Sequence, residues 1–239
     1  MKSLLITGAT SGIGKALALH AAKNNYRVIA CGRNEDALNE LSKIDNIESL
    51  RFDVSSLESA RDALKDVNAD YYVFNAGTCE YVDLERFESD MFRRVFEPNF
   101  FGVVHCVEAV LPTLKKGNSL VIVDSMARLM PFTRSQAYGA SKAAVHYFTK
   151  SLEVDLHDKG IRVQAVSPGF VETPLTDKND FDMPMKITAD EAAVAMLKGI
   201  ESGKSSIYFP RMFGYILRCM NTLTDGLKKK LSLGMRTEK

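Results

Sequence analysis

The chain has 239 residues, 46% of them hydrophobic and 26% charged, and a formal net charge of +1. That is the balance of an ordinary soluble globular protein, with no overall bias toward nucleic acid or an anionic membrane. A chain of this length buries a substantial core without disulfide or metal staples.

The apolar run at the N-terminus meets a glycine at Gly8, too soon for a signal peptide or a membrane-spanning helix. It reads as a buried strand over 3–7. The strand ends in Thr7, Gly8, Ala9, Thr10, Ser11, Gly12, Ile13 and Gly14, and a helical segment over 12–24 follows. Glycines there permit a tight turn and close approach of backbone to a pyrophosphate. The helix N-terminus offers free N–H groups and its positive dipole end to the anion.

A second strand, 27–31, leads through Gly32 to Arg33. In a dinucleotide-binding sheet this point meets the adenosine ribose. An acidic residue there favours a free 2′-hydroxyl, and an arginine accommodates a 2′-phosphate. Arg33 therefore predicts NADP(H) over NAD(H), the alternative being a solvated surface arginine. After a helix over 34–43, a third strand at 47–52 ends at Asp53 and Val54. Asp53 either accepts from the adenine amino group, with Val54 against the ring, or caps the next helix, 56–66. A fourth strand, 70–74, ends in Asn75, Ala76 and Gly77, small residues that let a cofactor lie over the sheet edge.

A long helical segment, 85–117, carries Pro98 and Asn99. Proline removes a helical hydrogen bond, which predicts a kink there. The fifth strand, 119–124, runs into Ser125, whose hydroxyl at a sheet's carboxyl edge would donate to a substrate carbonyl. The helix over 136–158 carries Tyr138 and Lys142 four residues apart, hence on one face. A neighbouring ammonium favours the phenolate and makes tyrosine a usable acid–base. The sixth strand, 161–167, closes in Pro168 and Gly169, with Val171 and Thr173 beyond. A long loop, 170–187, precedes a helix at 188–202 and a last strand at 205–209, and reads as a functional lid over substrate.

Several strands are apolar on successive residues, as in 119–123, which marks strands covered on both faces. Alternation of strands and helices predicts an α/β, doubly wound sheet of seven parallel strands with helices on both faces. Residues 1–209 form one dinucleotide-binding domain. Residues 210–239 form an amphipathic basic tail, with Phe213, Ile216, Leu217, Met220, Leu223, Leu227 and Leu231 at helical spacing. Such a tail covers an apolar groove or lies on an anionic membrane; the first is expected here.

Together these motifs resemble the short-chain dehydrogenase/reductase family in its single-domain branch. The resemblance rests on Thr7–Gly14, Asp53 and Val54, Asn75–Gly77, Asn99, Ser125, Tyr138 with Lys142, and Pro168, Gly169 and Thr173. It implies a Rossmann fold and a hydride transfer between nicotinamide and a carbonyl or secondary alcohol. Tyr138 would exchange a proton with the substrate oxygen, and Ser125 would orient it. Lys142 would bind the nicotinamide ribose and lower the Tyr138 pKa. Asn99 would hold a water linking Lys142 to solvent, Asn75 would stabilise the central strand, and Thr173 would touch the nicotinamide. The resemblance also implies a homodimer or homotetramer.

Three residues depart from the family pattern: Phe74 before Asn75, to which no consequence attaches, Asp124 beside Ser125, and Arg128 near the site. Arg128 either steers an anionic substrate or is a surface side chain, and the second is expected. Phe132, Phe170, Phe181, Met183 and Met185 are expected to line an apolar pocket. The four histidines show no metal-ligand spacing, so no metal is expected. Cys31, Cys79, Cys106 and Cys219 form no CxxC pair, which fits a reducing cytoplasm. A dinucleotide-sensing regulator without catalysis would have lost Tyr138, Lys142 or Ser125. A lyase or epimerase on this scaffold would need more substrate-binding sequence. No nucleic-acid partner is expected.

Overall fold

The computed structural model describes residues 1–177, 179 and 181–235. Lys178 and Asp180 of the expected lid, and Arg236, Glu238 and Lys239 of the basic tail, lie outside the described residues.

Seven parallel strands form one sheet in the order β3-β2-β1-β4-β5-β6-β7. They are β1 Ser3–Thr7, β2 Arg27–Gly32, β3 Ile47–Arg51, β4 Tyr71–Phe74, β5 Ser119–Val123, β6 Arg162–Pro168 and β7 Ser206–Phe209. The helices between them are α1 Gly12–Lys23, α2 Glu35–Leu41, α3 Leu57–Leu64, α4 Ser89–Phe96, α5 Gly102–Val110, α6 Gln136–Asp155 and α7 Ala189–Glu201. The expected doubly wound fold is present.

Successive strand residues point to opposite faces, and both faces are covered. Leu4, Ile6, Val28 and Val73 pack with α1, α2 and α7 through Leu17, Leu38, Leu41 and Met196. Leu5, Ile29, Tyr72 and Ile122 pack on the other side with α3 and α5 through Leu64, Val103 and Val107. Full burial of each such side chain contributes about 1.5–3 kcal/mol. This two-sided burial is why the strands read as continuous apolar runs.

The long helix expected over 85–117 is interrupted. After α4, a π-helical stretch at Glu97–Phe101 contains Pro98, and the Gly102 N–H reaches back five residues to the Glu97 carbonyl. Pro98 has no N–H to donate, so the regular ladder breaks there. The tail forms two helices, α8 Arg211–Asn221 and α9 Asp225–Gly234. α8 buries Phe213, Gly214 and Leu217, packing them beside Met126, Leu129 and Met130.

Candidate active site

Strand order reverses at β1, between β2 and β4. In an open α/β sheet the crevice beyond such a reversal receives ligands. A cleft of about 600 Å³ lies there. Among the predicted site residues, Gly8, Thr10, Ser11, Gly12, Ile13, Arg33, Asp53, Val54, Asn75, Ala76 and Gly77 line one part of it. Ser125, Tyr138, Lys142, Pro168, Gly169, Val171 and Thr173 line the rest. Gly14 and Asn99 sit just behind the wall.

The glycine turn is built for close approach. Gly8 has φ +68°, a conformation that disfavours any side chain. A Cβ at Gly14 would lie 2.2 Å from the Gly8 carbonyl oxygen, so only glycine fits under the turn. Ser11 is the N-cap of α1, yet its hydroxyl makes no capping bond and the first turn carries no acidic residue. The helix N-terminus thus presents its positive end to the cleft. Asn75 ties β4 to β1: its Nδ2 donates to the Thr7 carbonyl at 3.1 Å, while the Thr7 hydroxyl accepts from the Asn75 and Ala76 N–H groups.

Asp53 answers its open question in part. Its Oδ1 accepts from the Ser55 N–H at 2.9 Å, while Ser56 caps α3. Burial pushes the Asp53 carboxyl up, but the Ser55 N–H and the Arg33 guanidinium outweigh it and hold the group below its ordinary value. Arg33 reaches Asp53 Oδ2 at 3.3 Å with its side chain 75% exposed. An exposed pair of this kind contributes little, so Asp53 holds the guanidinium only weakly.

Tyr138 and Lys142 stand one turn apart on α6. Lys142 Nζ lies 5.9 Å from the Tyr138 ring centroid and donates to the Val123 carbonyl at 2.9 Å. Burial pushes the Tyr138 phenol well above its ordinary value; the Ser125 hydroxyl pulls it back by hydrogen bonding, and Cys79 and Asp124 push it further up. The net direction is opposite to the one expected from the Lys142 ammonium. Burial lowers Lys142 itself to about 8, against the opposing pull of Asp124 and Cys79. A weakened ammonium beside a buried phenol leaves the phenol protonated at neutral pH.

Asn99 is fully buried. Its Oδ1 accepts from the Thr78 N–H at 2.7 Å, and its Nδ2 donates to the Thr78 carbonyl and to Ser141 Oγ. These bonds leave the amide one acceptor lone pair. A Cβ at Gly77 would lie 2.8 Å from Asn99 Oδ1 and 3.5 Å from Lys142 Nζ, so a side chain there would occupy the ground between them.

Arg128 is not a surface side chain. Only 9% exposed, it donates from Nε to Asp124 Oδ2 at 3.1 Å and from Nη2 to Ser167 and to the Tyr208 hydroxyl. Asp124 is 1% exposed, and the same Oδ2 lies 2.5 Å from His146 Nδ1. Its other oxygen is buried with no hydrogen-bond partner. The departure Arg128 thus compensates the departure Asp124, directly beneath Ser125.

A second cavity of about 110 Å³ adjoins the cleft and shares Ser125 and Tyr138 with it. Phe132, Phe170 and Phe181 line it as expected. Met183 and Met185 do not; Met185 is 47% exposed. Phe213 and Leu217 of α8 take their place, with the Phe170 ring tilted against Phe213 at 5.6 Å and meeting Phe181 edge-on at 6.1 Å. Phe213 and Leu217 lie in the tail expected to stand apart from the domain, and their four-residue spacing is the sequence signal for a shared inner face. Cys79 and Tyr81 also line the cavity and were missed, since neither belongs to a motif.

A doubly wound sheet with a glycine turn at the strand reversal, and a buried Tyr-Lys-Ser group at its carboxyl edge, defines a dinucleotide-dependent oxidoreductase. Residues 2–183 match the family described as short chain dehydrogenase, and the chain belongs to that family. An uncharacterized oxidoreductase of Myxococcus xanthus is 32% identical over 238 residues, 95% of this chain and 94% of the relative. A 3beta-hydroxysteroid dehydrogenase of Mediterraneibacter gnavus is 32% identical over 200 residues, 78% of this chain and 72% of the relative. The fold matches a short-chain dehydrogenase from Sphingobium yanoikuyae in complex with NADPH, with TM-score 0.82 and 23% identity over 100% of this chain and 98% of that one. The chain is an oxidoreductase that uses a nicotinamide dinucleotide.

Proposed function

We propose that this enzyme is an NADP(H)-dependent reductase of uncharged, apolar carbonyl compounds, reversible as a secondary-alcohol dehydrogenase. The observation that carries this reading is that the dinucleotide cleft and the aromatic cavity meet at Ser125 and Tyr138. The hydroxysteroid dehydrogenase relative acts on a molecule of that apolar kind.

The bound nicotinamide supplies the hydride. Tyr138 donates its phenolic proton to the substrate oxygen as charge develops there, and the Ser125 hydroxyl holds that oxygen by hydrogen bonding. Lys142 binds the nicotinamide ribose and stabilises the phenolate left behind. Asn99 braces the Gly77–Thr78 segment against α6, and a relay water placed between Asn99 Oδ1 and Lys142 Nζ returns the proton. Ser11 and the first turn of α1 hold the pyrophosphate. Val171 and Thr173 face the nicotinamide, and Asp53 with Val54 lies at the adenine. We place this chemistry in the cytoplasm, in a homodimer or homotetramer, with α8 completing the substrate pocket of the 1–209 domain.

The reading is tested by loss of NADPH absorbance with cyclic ketones, aromatic aldehydes and charged keto acids. Turnover of ring-bearing neutral carbonyls is expected. Activity confined to charged substrates, or none with any carbonyl, contradicts it.

Arg33 gives the cofactor prediction. Losing a charge-assisted bond to a 2′-phosphate costs about 1.5–3 kcal/mol. Arg33→Asp is therefore expected to raise KM for NADPH about 10- to 150-fold and to favour NADH. Unchanged NADPH kinetics would remove Arg33 from the cofactor site.

The pH dependence follows from Lys142. Its charged form is held below about pH 8, where burial sets its proton affinity. Reduction needs both that ammonium and the protonated phenol, so kcat is expected to fall as pH rises through about 8. A kcat that stays flat far into the alkaline range contradicts the assignment.

A further inference from the structure

The C-terminal helices carry two kinds of exposed side chain that do not belong together on a solvated surface. On α8, Met212, Tyr215 and Ile216 share one face by their helical spacing and are 63%, 54% and 40% exposed. On α9, Leu227 and Leu231 share a face and are 50% and 39% exposed. α9 buries none of its residues. A ten-residue helix is marginal in water unless an apolar face packs on something. Within the two helices the charged residues are Arg211, Arg218, Lys228, Lys229 and Lys230 against one acid, Asp225. Of these, Lys228 is turned inward, its side chain 20% exposed and 3.7 Å from Asp225, and Arg218 lies over the Tyr208 ring, which leaves Arg211, Lys229 and Lys230 as the outward cations. The whole chain carries only +1, so the cationic charge is concentrated here.

We propose that α8 and α9 form an amphipathic foot that docks on an anionic lipid surface. Charge complementarity selects this occupant. A second copy related by a two-fold axis would set the same cationic surface against itself, which repels. A lipid interface accepts both components: acyl chains take the Leu and Met side chains, and anionic headgroups take the Lys and Arg. The inner face of the same helix α8 supplies Phe213 and Leu217 to the aromatic cavity. One helix then separates lipid from substrate pocket, which fits a substrate drawn from the membrane. That last link rests on the catalytic reading above; the docking does not.

The sequence favours a tail that covers an apolar groove, on its own domain or on a partner subunit. α8 does so through Phe213 and Leu217, whereas α9 does not, and this difference reopens the membrane alternative. Among the described residues no helix is long and apolar enough to cross a bilayer, so docking is at the surface.

The experiment is co-sedimentation of the full-length protein with phosphatidylcholine vesicles, with and without phosphatidylglycerol. Binding to the mixed vesicles is expected, with little to phosphatidylcholine alone, and it should weaken as salt screens the charges. Each cation removed is expected to weaken partitioning about fivefold, or ~1 kcal/mol, so a Lys229→Glu, Lys230→Glu variant loses well over an order of magnitude. Leu227→Ser should weaken binding at unchanged charge. NADPH binding by each variant confirms that it is folded. No sedimentation with mixed vesicles, or equal binding by the Glu variant, overturns the proposal. So does a monomer formed on Leu227→Ser from a wild-type oligomer that ignores lipid, since a second copy then covers the face. Because no turnover is read, failure here leaves the catalytic reading standing, and failure of the carbonyl panel leaves docking standing.

Discussion

Tyr138→Phe is expected to lower kcat for carbonyl reduction by about 10²–10⁴-fold, with NADPH binding unchanged. The substitution removes one oxygen from a half-buried ring and leaves its packing on α6 intact. The phenol contributes nothing to the glycine turn or to the Arg33 site, so cofactor titration by fluorescence should match the wild type. Burial makes the prediction sharper. The Tyr138 proton is held tightly by its environment, so the wild type carries a ready acid at neutral pH, and Phe has none. Ser125 alone can hydrogen-bond the substrate oxygen but does not replace the proton. Turnover within a factor of a few of wild type would assign the acid elsewhere.

The largest stability effect is expected at Arg128. Asp124 is 1% exposed and its Oδ2 is held by Arg128 and His146. Removing the guanidinium leaves the buried carboxylate with His146 as its remaining partner and also abandons Ser167 and Tyr208. Breaking a buried pair in this way costs about 3–5 kcal/mol. At about 2–4 °C per kcal/mol for a chain of this size, Arg128→Ala should lower Tm by about 6–20 °C. A combined Asp124→Asn, Arg128→Met variant removes both charges and should recover much of the loss. A drop of only a degree or two in Arg128→Ala would show that Asp124 does not depend on its partner.

The core fold and the dinucleotide cleft were legible because their signals are local. Glycines at 8, 12 and 14 follow a run of apolar residues directly, and four residues separate Tyr138 from Lys142 on one helix. Two-sided burial turned each strand into an unbroken apolar run, which marked the parallel sheet. Pro98 marked the break in the long helix for an equally local reason, its missing N–H.

What stayed hidden depends on distant partners. Arg128 meets Ser167 and Tyr208 across 39 and 80 residues of chain, and nothing near it in sequence separates it from a surface arginine. The same holds for the aromatic pocket. Phe213 and Leu217 reach it only because α8 folds back over Met126 and Met130, whereas Met183 and Met185, nearer in sequence to the lid, stay out. The spacing of Tyr138 and Lys142 carries the Lys142 charge but not the burial that raises the Tyr138 phenol.

The proposed chemistry requires Tyr138, Ser125 and Lys142 to converge on a nicotinamide held over the carboxyl edge of the sheet. A crystal structure with NADP⁺ and a slow alcohol substrate measures this directly. Pyrophosphate is expected at Ser11 and the first turn of α1, the 2′-phosphate at Arg33 and the ribose on Lys142. The substrate oxygen is expected within about 3–3.5 Å of both Tyr138 Oη and Ser125 Oγ, the spacing of reacting groups poised for attack. A nicotinamide directed away from Tyr138, or a dinucleotide bound outside this cleft, would contradict this chemistry.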